Sequence, residues 1–258
     1  MELQGAIAII TGASGGIGAA TARELARQGA TVVLGARRMA ELQAVADEIN
    51  RQGGRALAVQ TDVAHREEID RLVQTALDTY GRVDVLVNNA GIGTGSFLSN
   101  TDDAAMERII DVNVLAIARC TQAVLPEMRR QGSGVIVNLG SVAGEIATGG
   151  LYGATKFAVR GLSDALRREL RQDGIAVVLI EPGFVRTEMT ADLRFPLPSA
   201  ELVARAIVDG IRRPRRRIVV PWYYQLLIYP AKLFPQVADW ILGSRTALRF
   251  YHQRKRTM

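Results

Sequence analysis

Short apolar runs and amphipathic runs alternate along most of this 258-residue chain. The apolar runs are short and rich in valine, which is typical of strands buried on both faces. Between them, apolar residues recur every three or four positions, as at Ile69, Leu72 and Ala76, which is typical of helices packed by one face. The pattern predicts strands near residues 6–11, 31–36, 55–60, 83–88, 134–139, 175–181 and 217–220. It predicts helices near residues 16–28, 39–51, 66–79, 102–130, 151–172 and 200–211, and in the tail.

This alternation is typical of an α/β fold in which a doubly wound parallel sheet carries helices on both faces. With 48% hydrophobic residues, the chain is long enough to form one large core. We expect a single domain at residues 1–221, followed by a basic, aromatic and amphipathic extension at 222–258. Ligands are expected at the carboxyl ends of the strands.

Cysteine and histidine usage excludes several classes of site. Cys120 is the only cysteine, so no internal disulfide can form and a reducing compartment fits. His65 and His252 are far apart in the sequence, so we expect no zinc or other metal site. The first residues run straight into the first predicted strand, and we therefore expect no signal peptide. These features indicate a cytoplasmic protein.

A glycine-rich turn follows the first predicted strand. Gly12, Gly15, Gly16 and Gly18 precede an alanine-rich helical run that extends to residue 28. Backbone N–H groups at a helix N-terminus, unobstructed by Cβ atoms, form a phosphate site. The spacing G-x-x-x-G-x-G differs from G-x-G-x-x-G, and the Gly-Lys-Ser/Thr of a Walker loop does not follow. Taken alone, the turn also fits a purely structural role.

Tyr152 and Lys156 form a second candidate site. Lys156 is one of three lysines among 32 basic residues, the others being Lys232 and Lys255. Lysine offers a compact ammonium whose pKa shifts readily, and arginine does not. On a helix, residues four apart lie on one face, and a cation near a phenol favours phenolate, which makes the phenol usable in proton transfer. Taken alone, the pair also fits a packed ring beside a solvated amine.

Further motifs match the short-chain dehydrogenase/reductase family in order and spacing. The matching residues are the glycine segment 11–18, Asp62-Val63, Asn88-Asn89-Ala90-Gly91, Asn113, Ser141, Tyr152-x-x-x-Lys156 and Pro182-Gly183-x-Val185-x-Thr187. The chain therefore resembles this family over residues 5–220, which implies a Rossmann-type domain and a nicotinamide-dependent oxidoreductase. One departure is the short separation of Ser141 from Tyr152, which requires a tight loop over residues 142–151.

Cofactor preference is read from the end of the second predicted strand. An acidic residue about 20 positions beyond the glycine turn would hold the 2′-hydroxyl of NAD. Ala36 stands there instead, and Arg37 and Arg38 follow. Arginine is the planar, multi-donor cation that suits a 2′-phosphate, and the resemblance also marks Arg37 as the NADP-selecting residue. We therefore predict NADP(H), although an exposed arginine pair at a helix start is the plain alternative.

The resemblance implies a role for each site residue. Tyr152 is the general acid in carbonyl reduction and the general base in alcohol oxidation, and Lys156 assists it and binds the nicotinamide ribose. Ser141 hydrogen-bonds the substrate oxygen, and Asn113 helps to hold a proton-relay water. Asp62 is expected at the adenine amino group and Asn88 beside the ribose and adenine. The cofactor-binding set is Gly12, Ser14, Gly15, Gly16, Ile17, Gly18, Arg37, Arg38, Asp62, Val63, Asn89, Ala90, Gly91, Tyr152, Lys156, Pro182, Gly183, Val185 and Thr187.

Two other functions fit parts of the sequence. Residues 12–16 match G-x-S-x-G, the nucleophile elbow of α/β-hydrolases, with Ser14 as nucleophile and His252 as base. A non-catalytic NADP-binding sensor or scaffold is the second, although this chain retains all four catalytic-type residues. We favour a reductase that interconverts a carbonyl and an alcohol. Its substrate is expected to be hydrophobic, because residues 189–198 and the tail are apolar and are expected to cover the pocket.

The tail differs from the rest of the chain in charge and in aromatic content. Residues 1–211 hold 21 basic and 25 acidic residues, whereas residues 212–258 hold 11 basic residues and one acidic residue. Both tryptophans and four of the six tyrosines lie in this segment. Basic, aromatic sequence can indicate nucleic acid binding, but apolar residues here recur at helical spacing. We therefore predict short amphipathic helices and no nucleic acid partner.

These helices are expected to close the substrate pocket and to rest on an anionic membrane surface. The same apolar face also fits packing on the core or on a second subunit, with the arginines solvated around it. No apolar run of about 18 residues is present, so we expect the tail not to span a membrane. The family resemblance further implies a homodimer or homotetramer that assembles through the helices at 102–130 and 151–172.

Overall fold

A computed structural model of the chain describes residues 1–93, 98–146, 150–190 and 196–244. The sheet has seven parallel strands in the order β3-β2-β1-β4-β5-β6-β7. Their bounds are β1 Ile7–Thr11, β2 Thr31–Ala36, β3 Arg55–Gln60, β4 Val85–Asn88, β5 Gly134–Leu139, β6 Ile175–Pro182 and β7 Arg217–Val220. All seven predicted strands are confirmed, and the doubly wound Rossmann-type fold with them.

Helices cover both faces of the sheet. They are α1 Gly16–Arg27, α2 Met39–Arg51, α3 Arg66–Tyr80, α4 Asp103–Ile110, α5 Ala116–Gln131, α6 Ala143–Ile146, α7 Leu151–Glu169, α8 Ala200–Arg212, α9 Gln225–Leu233 and α10 Pro235–Leu242. Apolar residues of α1, α2 and α8 pack on one face, and those of α3, α5 and α7 pack on the other. The predicted pattern of two buried sheet faces is therefore observed.

Strand order reverses between β1 and β4, which are neighbours in the sheet but not in the sequence. In open α/β sheets, the loops that follow the two strands at such a point run in opposite directions. A crevice opens between them. The glycine turn after β1 and the loop after β4 both lie there. The topology therefore places the sequence-predicted phosphate site at the crevice.

Two predicted helices are interrupted. The helix expected over 102–130 is divided into α4 and α5 by a π-helical turn, Asp111–Leu115. The helix expected over 151–172 ends at residue 169 and continues as a 3₁₀ turn, Leu170–Asp173. Short helix α6 was not predicted. Hydrophobic periodicity alone does not detect a change of helix type, because the buried stripe continues through it.

The continuous run from α4 through α5, Asp103–Gln131, is long and apolar enough to cross a membrane by length and composition. Half of its most apolar window is buried inside the protein. Val112, Ala116, Cys120 and Val124 pack in the core on one sheet face. This is the environment of a core helix, and the run is accounted for by its packing against the sheet.

Asp84 connects the start of β4 to β1. Its carboxylate accepts a hydrogen bond from the backbone N–H of Ile7 at 2.8 Å and from Arg82 at 2.6 Å. Asp84 is buried, with its side chain 5% exposed, whereas Arg82 is about half exposed. The buried Ile7 N–H has this carboxylate as its acceptor, so Asp84 satisfies a backbone donor at the amino end of two central strands.

We expect Asp84→Ala to lower the free energy of unfolding by about 1–3 kcal/mol, because it leaves the buried Ile7 N–H without its acceptor. Chemical denaturation measures this change. Asp78→Ala is the matched control, since Asp78 is exposed on α3, and its effect should stay within about 0.5 kcal/mol. Equal stabilities of the two variants would contradict the assignment.

Candidate active site

The turn between β1 and α1 can be formed only by glycine at several positions. Gly12 and Gly16 have positive φ angles of 66° and 54°. A Cβ on Gly12 would lie 2.8 Å from Cα of Ala90, and a Cβ on Gly18 would overlap the carbonyl oxygen of Gly12. The turn is therefore packed directly on backbone, and a side chain at Gly12 or Gly18 would collide with it.

Residues from the loop after β4 hold this turn in place. The Asn89 amide donates to the carbonyl oxygens of Thr11 at 2.9 Å and Gly12 at 3.1 Å. In return, the Thr11 hydroxyl accepts from the backbone N–H groups of Asn89 and Ala90, both at 3.1 Å. Four hydrogen bonds thus connect the ends of β1 and β4 and fix the floor of the crevice.

The N-terminus of α1 fits a phosphate group. Its N-cap is Gly15, which has no side chain that could cap the helix, and the first turn holds no acidic residue. The N–H groups of a first helical turn have no partner within the helix and carry the positive end of the helix dipole. Across the crevice, the Thr187 methyl lies 3.4 Å from where a Gly16 Cβ would be. A helix start with free N–H donors and no acidic residue in its first turn is a general site for phosphate groups.

Arg38 lies at the rim of the same turn. Its guanidinium donates to the Ser14 hydroxyl at 3.3 Å and forms a fork with the Glu188 carboxylate at 2.8 and 3.1 Å. Ala36 ends β2 without an acidic group, and Arg37 is exposed beside it. The Arg38–Glu188 pair therefore connects the two sides of the crevice, from the β2–α2 turn to the loop after β6.

Asp62 and Val63 lie at the end of β3, on the side expected for adenine. The Asp62 carboxylate accepts from Arg108 at 2.6 Å and from the backbone N–H of Ala64 at 3.1 Å. Burial acts to raise the pKa of Asp62, but these hydrogen bonds outweigh it and lower the pKa. Val63 is buried. The adenine contact itself stays a prediction.

The expectation that Asn88 lines the cofactor crevice is wrong. Asn88 is 2% exposed, and its amide donates to Asn138 at 2.9 Å. Asn138 in turn donates to Ser163 at 3.0 Å, so these side chains form a buried polar chain between β4, β5 and α7. Successive strand residues point to opposite faces, which is why Asn89 reaches the glycine turn and Asn88 does not.

Lys156 is buried beneath the carboxyl end of β5. Its ammonium donates to the carbonyl oxygen of Leu139 at 2.8 Å and lies 5.7 Å from the centroid of the Tyr152 ring. Both residues lie on one face of α7, as the four-residue spacing predicts. Burial lowers the pKa of Lys156 to about 8. The plain interpretation, a solvated amine beside a packed ring, is therefore wrong for the lysine.

The π-helical turn places Asn113 beside this lysine. Asn113 is fully buried, and its side chain exchanges hydrogen bonds with the backbone of Ile92 at 2.8 and 2.9 Å and donates to Thr155 at 3.1 Å. A Cβ on Gly91 would lie 3.4 Å from the Asn113 oxygen and 3.7 Å from the Lys156 ammonium. Asn113 thus fixes the loop after β4 against α7, next to Lys156.

Ser141 and the turn after β6 form the remaining wall. The Ser141 hydroxyl accepts from the backbone N–H of Ala143 at 3.1 Å and donates to the carbonyl oxygen of Pro182 at 3.4 Å. Gly183 packs against the ring of Tyr224, whose hydroxyl accepts from the backbone N–H of Phe184 at 3.2 Å. Val185 is buried in the core. The C-terminal extension therefore takes part in this wall.

A buried charged cluster behind the wall was not predicted. Glu145 on α6 has a fully buried side chain and pairs with Arg160 at 3.2 Å, with Arg217 at 3.3 Å and with Lys232 on α9. Arg217 also lies 2.9 Å from Glu181, and burial raises the pKa of Glu181 to about 7. The sequence offers one signal, since Lys232 is one of only three lysines. The cluster joins α6, α7, β6, β7 and α9.

The hydrolase interpretation finds no support in this geometry. Ser14 accepts hydrogen bonds from the Arg38 guanidinium, which cannot act as a general base. The histidine proposed as its partner, His252, lies outside the described residues. Ser14 belongs to the rim of the glycine turn.

Comparison with known proteins agrees with this geometry. Residues 6–196 match the family model described as short chain dehydrogenase. A 3-oxoacyl-[acyl-carrier-protein] reductase of Synechocystis sp. is 42% identical over 190 residues, which cover 72% of this chain and 77% of that protein. A short-chain dehydrogenase/reductase of Burkholderia phymatum, solved with NAD, is 27% identical with a TM-score of 0.87 and covers 92% of this chain and 96% of its own.

A metagenomic short-chain oxidoreductase, solved with NADP, is 35% identical with a TM-score of 0.75, and covers 85% of this chain and 98% of its own. The matched range includes the glycine turn, Asn113, Ser141, Tyr152 and Lys156. A non-catalytic sensor or scaffold is therefore not the interpretation that these findings support. The chain is an oxidoreductase and belongs to the short-chain dehydrogenase/reductase family.

Proposed function

We propose that this enzyme is an NADP(H)-dependent oxidoreductase that interconverts a carbonyl and an alcohol on a hydrophobic small molecule, and that it acts as a reductase. The observation that carries the proposal is the Tyr152–Lys156 pair on α7, whose lysine lies beside the loop after β4. The buried Lys156 ammonium lies near the Tyr152 ring. A phenol beside a cation is a proton donor suited to a carbonyl oxygen.

The residues present fit a nicotinamide dinucleotide. Gly12, Gly15, Gly16, Ile17 and Gly18 supply a donor-lined surface that a side chain would obstruct. Bound there, the cofactor supplies the hydride that reduces a carbonyl carbon. Further residues proposed to hold it are Ser14, Arg37, Arg38, Asp62, Val63, Asn89, Ala90, Gly91, Tyr152, Lys156, Pro182, Gly183, Val185 and Thr187.

Preference for NADP(H) follows from the rim of the crevice. Ala36 offers no carboxylate to a ribose 2′-hydroxyl, whereas Ser14 and Arg38 present donors on one patch and Arg37 is exposed beside them. A charge-assisted fork of this kind suits a phosphate. Glu188 engages the same guanidinium, so a 2′-phosphate would compete with it for Arg38.

In the proposed reaction, Tyr152 donates its proton to the carbonyl oxygen as the alcohol forms. Lys156 stabilises the resulting phenolate by its charge, and Ser141 orients the carbonyl oxygen with a hydrogen bond. Asn113 positions Lys156 and the adjoining loop, where a proton-relay water is proposed to bind. In the alcohol-oxidising direction, the same phenolate takes the proton back.

The extension is proposed to close the substrate pocket. Tyr224 packs on Gly183, and Ile228 on α9 is fully buried beside Val142, next to Ser141. Apolar closure favours a hydrophobic substrate, and 3-oxoacyl thioesters are reasonable first compounds because the Synechocystis relative is named for one. We further propose a cytoplasmic homodimer or homotetramer that assembles through α4, α5 and α7.

We expect Tyr152→Phe to keep the fold and NADPH binding but to lower turnover by about 10²–10⁴, the usual contribution of a positioned general acid. Lys156→Arg should lower turnover as well, because a guanidinium cannot replace a compact buried ammonium. NADPH oxidation against a panel of hydrophobic carbonyl compounds measures both. Near wild-type turnover by Tyr152→Phe would show that the proposed mechanism is wrong.

Loss of Arg38 should weaken the binding of NADPH and leave the binding of NADH unchanged. A hydrogen bond to a charged group is worth about 1.5–3 kcal/mol, so Arg38→Gln should raise the Kd for NADPH by about 10- to 150-fold. Glu188→Gln should lower the same Kd, because it removes the competing carboxylate. Fluorescence titration of the wild type and of each variant measures the Kd values, with Arg51→Gln at the distant end of α2 as the control. Equal wild-type Kd values for NADPH and NADH would contradict the NADP preference.

A dependence on pH follows from Lys156. Its ammonium is present below about pH 8 and is lost above it, so kcat/KM for carbonyl reduction should fall as the pH rises through 8. The folded state then holds fewer protons than the unfolded state between pH 8 and the usual lysine pKa of 10.5. The free energy of unfolding should therefore rise across that range, and Lys156→Met should lose this rise. A kcat/KM that stays constant well above pH 8 would contradict the assignment.

A further inference from the structure

Large apolar side chains on the described surface are concentrated in the C-terminal extension. Fourteen are exposed in the described part of the chain, and ten of them lie between residues 222 and 241. The ten are Trp222, Tyr223, Leu226, Leu227, Tyr229, Leu233, Phe234, Val237, Trp240 and Ile241, here called the α9–α10 surface. Trp240 is 79% exposed and Leu233 is 72% exposed. An exposed apolar patch of this density marks an interaction site.

The α9–α10 surface is fixed to the body of the protein. Ile228 is fully buried and packs with Val142 and Val219, while Lys232 pairs with the buried Glu145. Helix α9 is therefore held to the body of the protein by one face, and its other apolar side chains point outward. Its exposed residues cannot turn inward without giving up these contacts.

An open cavity of about 510 Å³ adjoins this surface. Its charged lining residues are Arg160, Arg215, Arg216, Arg217 and Asp164, and Trp222 and Tyr229 of the α9–α10 surface also line it. None of the proposed catalytic or cofactor-binding residues is among its lining residues. Clustered guanidinium groups with flanking aromatic rings form a site for an oxyanion such as a phosphate.

The cavity keeps a positive charge after its internal ion pairs are counted. Arg216 pairs with Asp164, Arg160 and Arg217 share Glu145, and Arg217 also pairs with Glu181. Arg215 makes no ion pair among the described residues. Beyond them, residues 245–258 contribute five basic residues and no acidic residue to the sequence that follows α10. Positive charge therefore adjoins the apolar surface at the cavity and follows it in the sequence.

We propose that the α9–α10 surface docks on an anionic phospholipid bilayer, with a lipid phosphate in the arginine cavity. Trp and Tyr rings favour the membrane interface, and each basic residue near an anionic surface contributes about 1 kcal/mol. A second copy of the chain fits less well, because a two-fold interface would bring two arginine cavities of the same sign together. The charge around the surface is complementary to lipid phosphate and not to itself.

Flotation of the full chain with phosphatidylcholine vesicles, with and without phosphatidylglycerol, tests this proposal. We expect flotation with the anionic vesicles alone, and less of it as salt rises. Arg215→Glu changes the charge by two and should weaken vesicle binding by about 30-fold, at about 1 kcal/mol per charge. Arg51→Glu makes the same charge change at the opposite edge of the sheet and should leave binding unaltered.

A second variant tests the contribution of the exposed apolar side chains to vesicle binding. Leu233→Gln with Trp240→Gln alters only exposed side chains, so it should keep the fold and NADPH binding while abolishing flotation. The proposal is overturned if the full chain stays at the bottom of the gradient at low salt, or if Arg215→Glu and Arg51→Glu float equally. It is also overturned if the double variant floats normally but has a smaller mass by light scattering, since the surface would then join copies of the chain.

Discussion

The rest of the site depends on one buried cation, the ammonium of Lys156. An ammonium removed from water is stable only where fixed oxygen atoms replace its hydration. The carbonyl oxygen of Leu139 meets this need, because β5 ends there and that carbonyl lies where the chain leaves the sheet. Gly144 allows α6 to approach, since a Cβ there would lie 2.6 Å from the Lys156 carbonyl oxygen. The strand end, the short helix and the π-helical turn are all arranged around this charge.

Parts of the architecture were predictable because they depend on local pattern. Short valine-rich runs predict the seven strands, and glycines mark where several helices end. The glycine spacing after β1 locates the turn proposed to bind phosphate. The π-helical turn at Asn113 and the inward direction of Asn88 were not predictable in this way. Both are decided by tertiary partners, Ile92 and Thr155 for Asn113 and Asn138 for Asn88. The Glu145 cluster was not predicted for the same reason, because its members come from five separate elements.

The two ends of the crevice are held by different kinds of interaction. At the floor, neutral hydrogen bonds join the side chains of Thr11 and Asn89 to the backbone of the opposite loop and leave little room for movement. At the rim, Arg38 and Glu188 form an ion pair that is largely exposed, and exposed pairs contribute little stability. The crevice therefore combines a rigid base with a rim that can open at low cost, which suits a ligand that must enter and leave.

The contact between Gly183 and Tyr224 has a consequence for how this enzyme can diverge. Gly183 belongs to the turn after β6, and Tyr224 belongs to the extension, yet the ring occupies the space of any Cβ at position 183. The Tyr224 hydroxyl also accepts from the N–H of Phe184. Position 183 cannot gain a side chain while Tyr224 is present, so the two positions are expected to co-vary among relatives. An extension grafted from another member would have to bring its own partner turn with it.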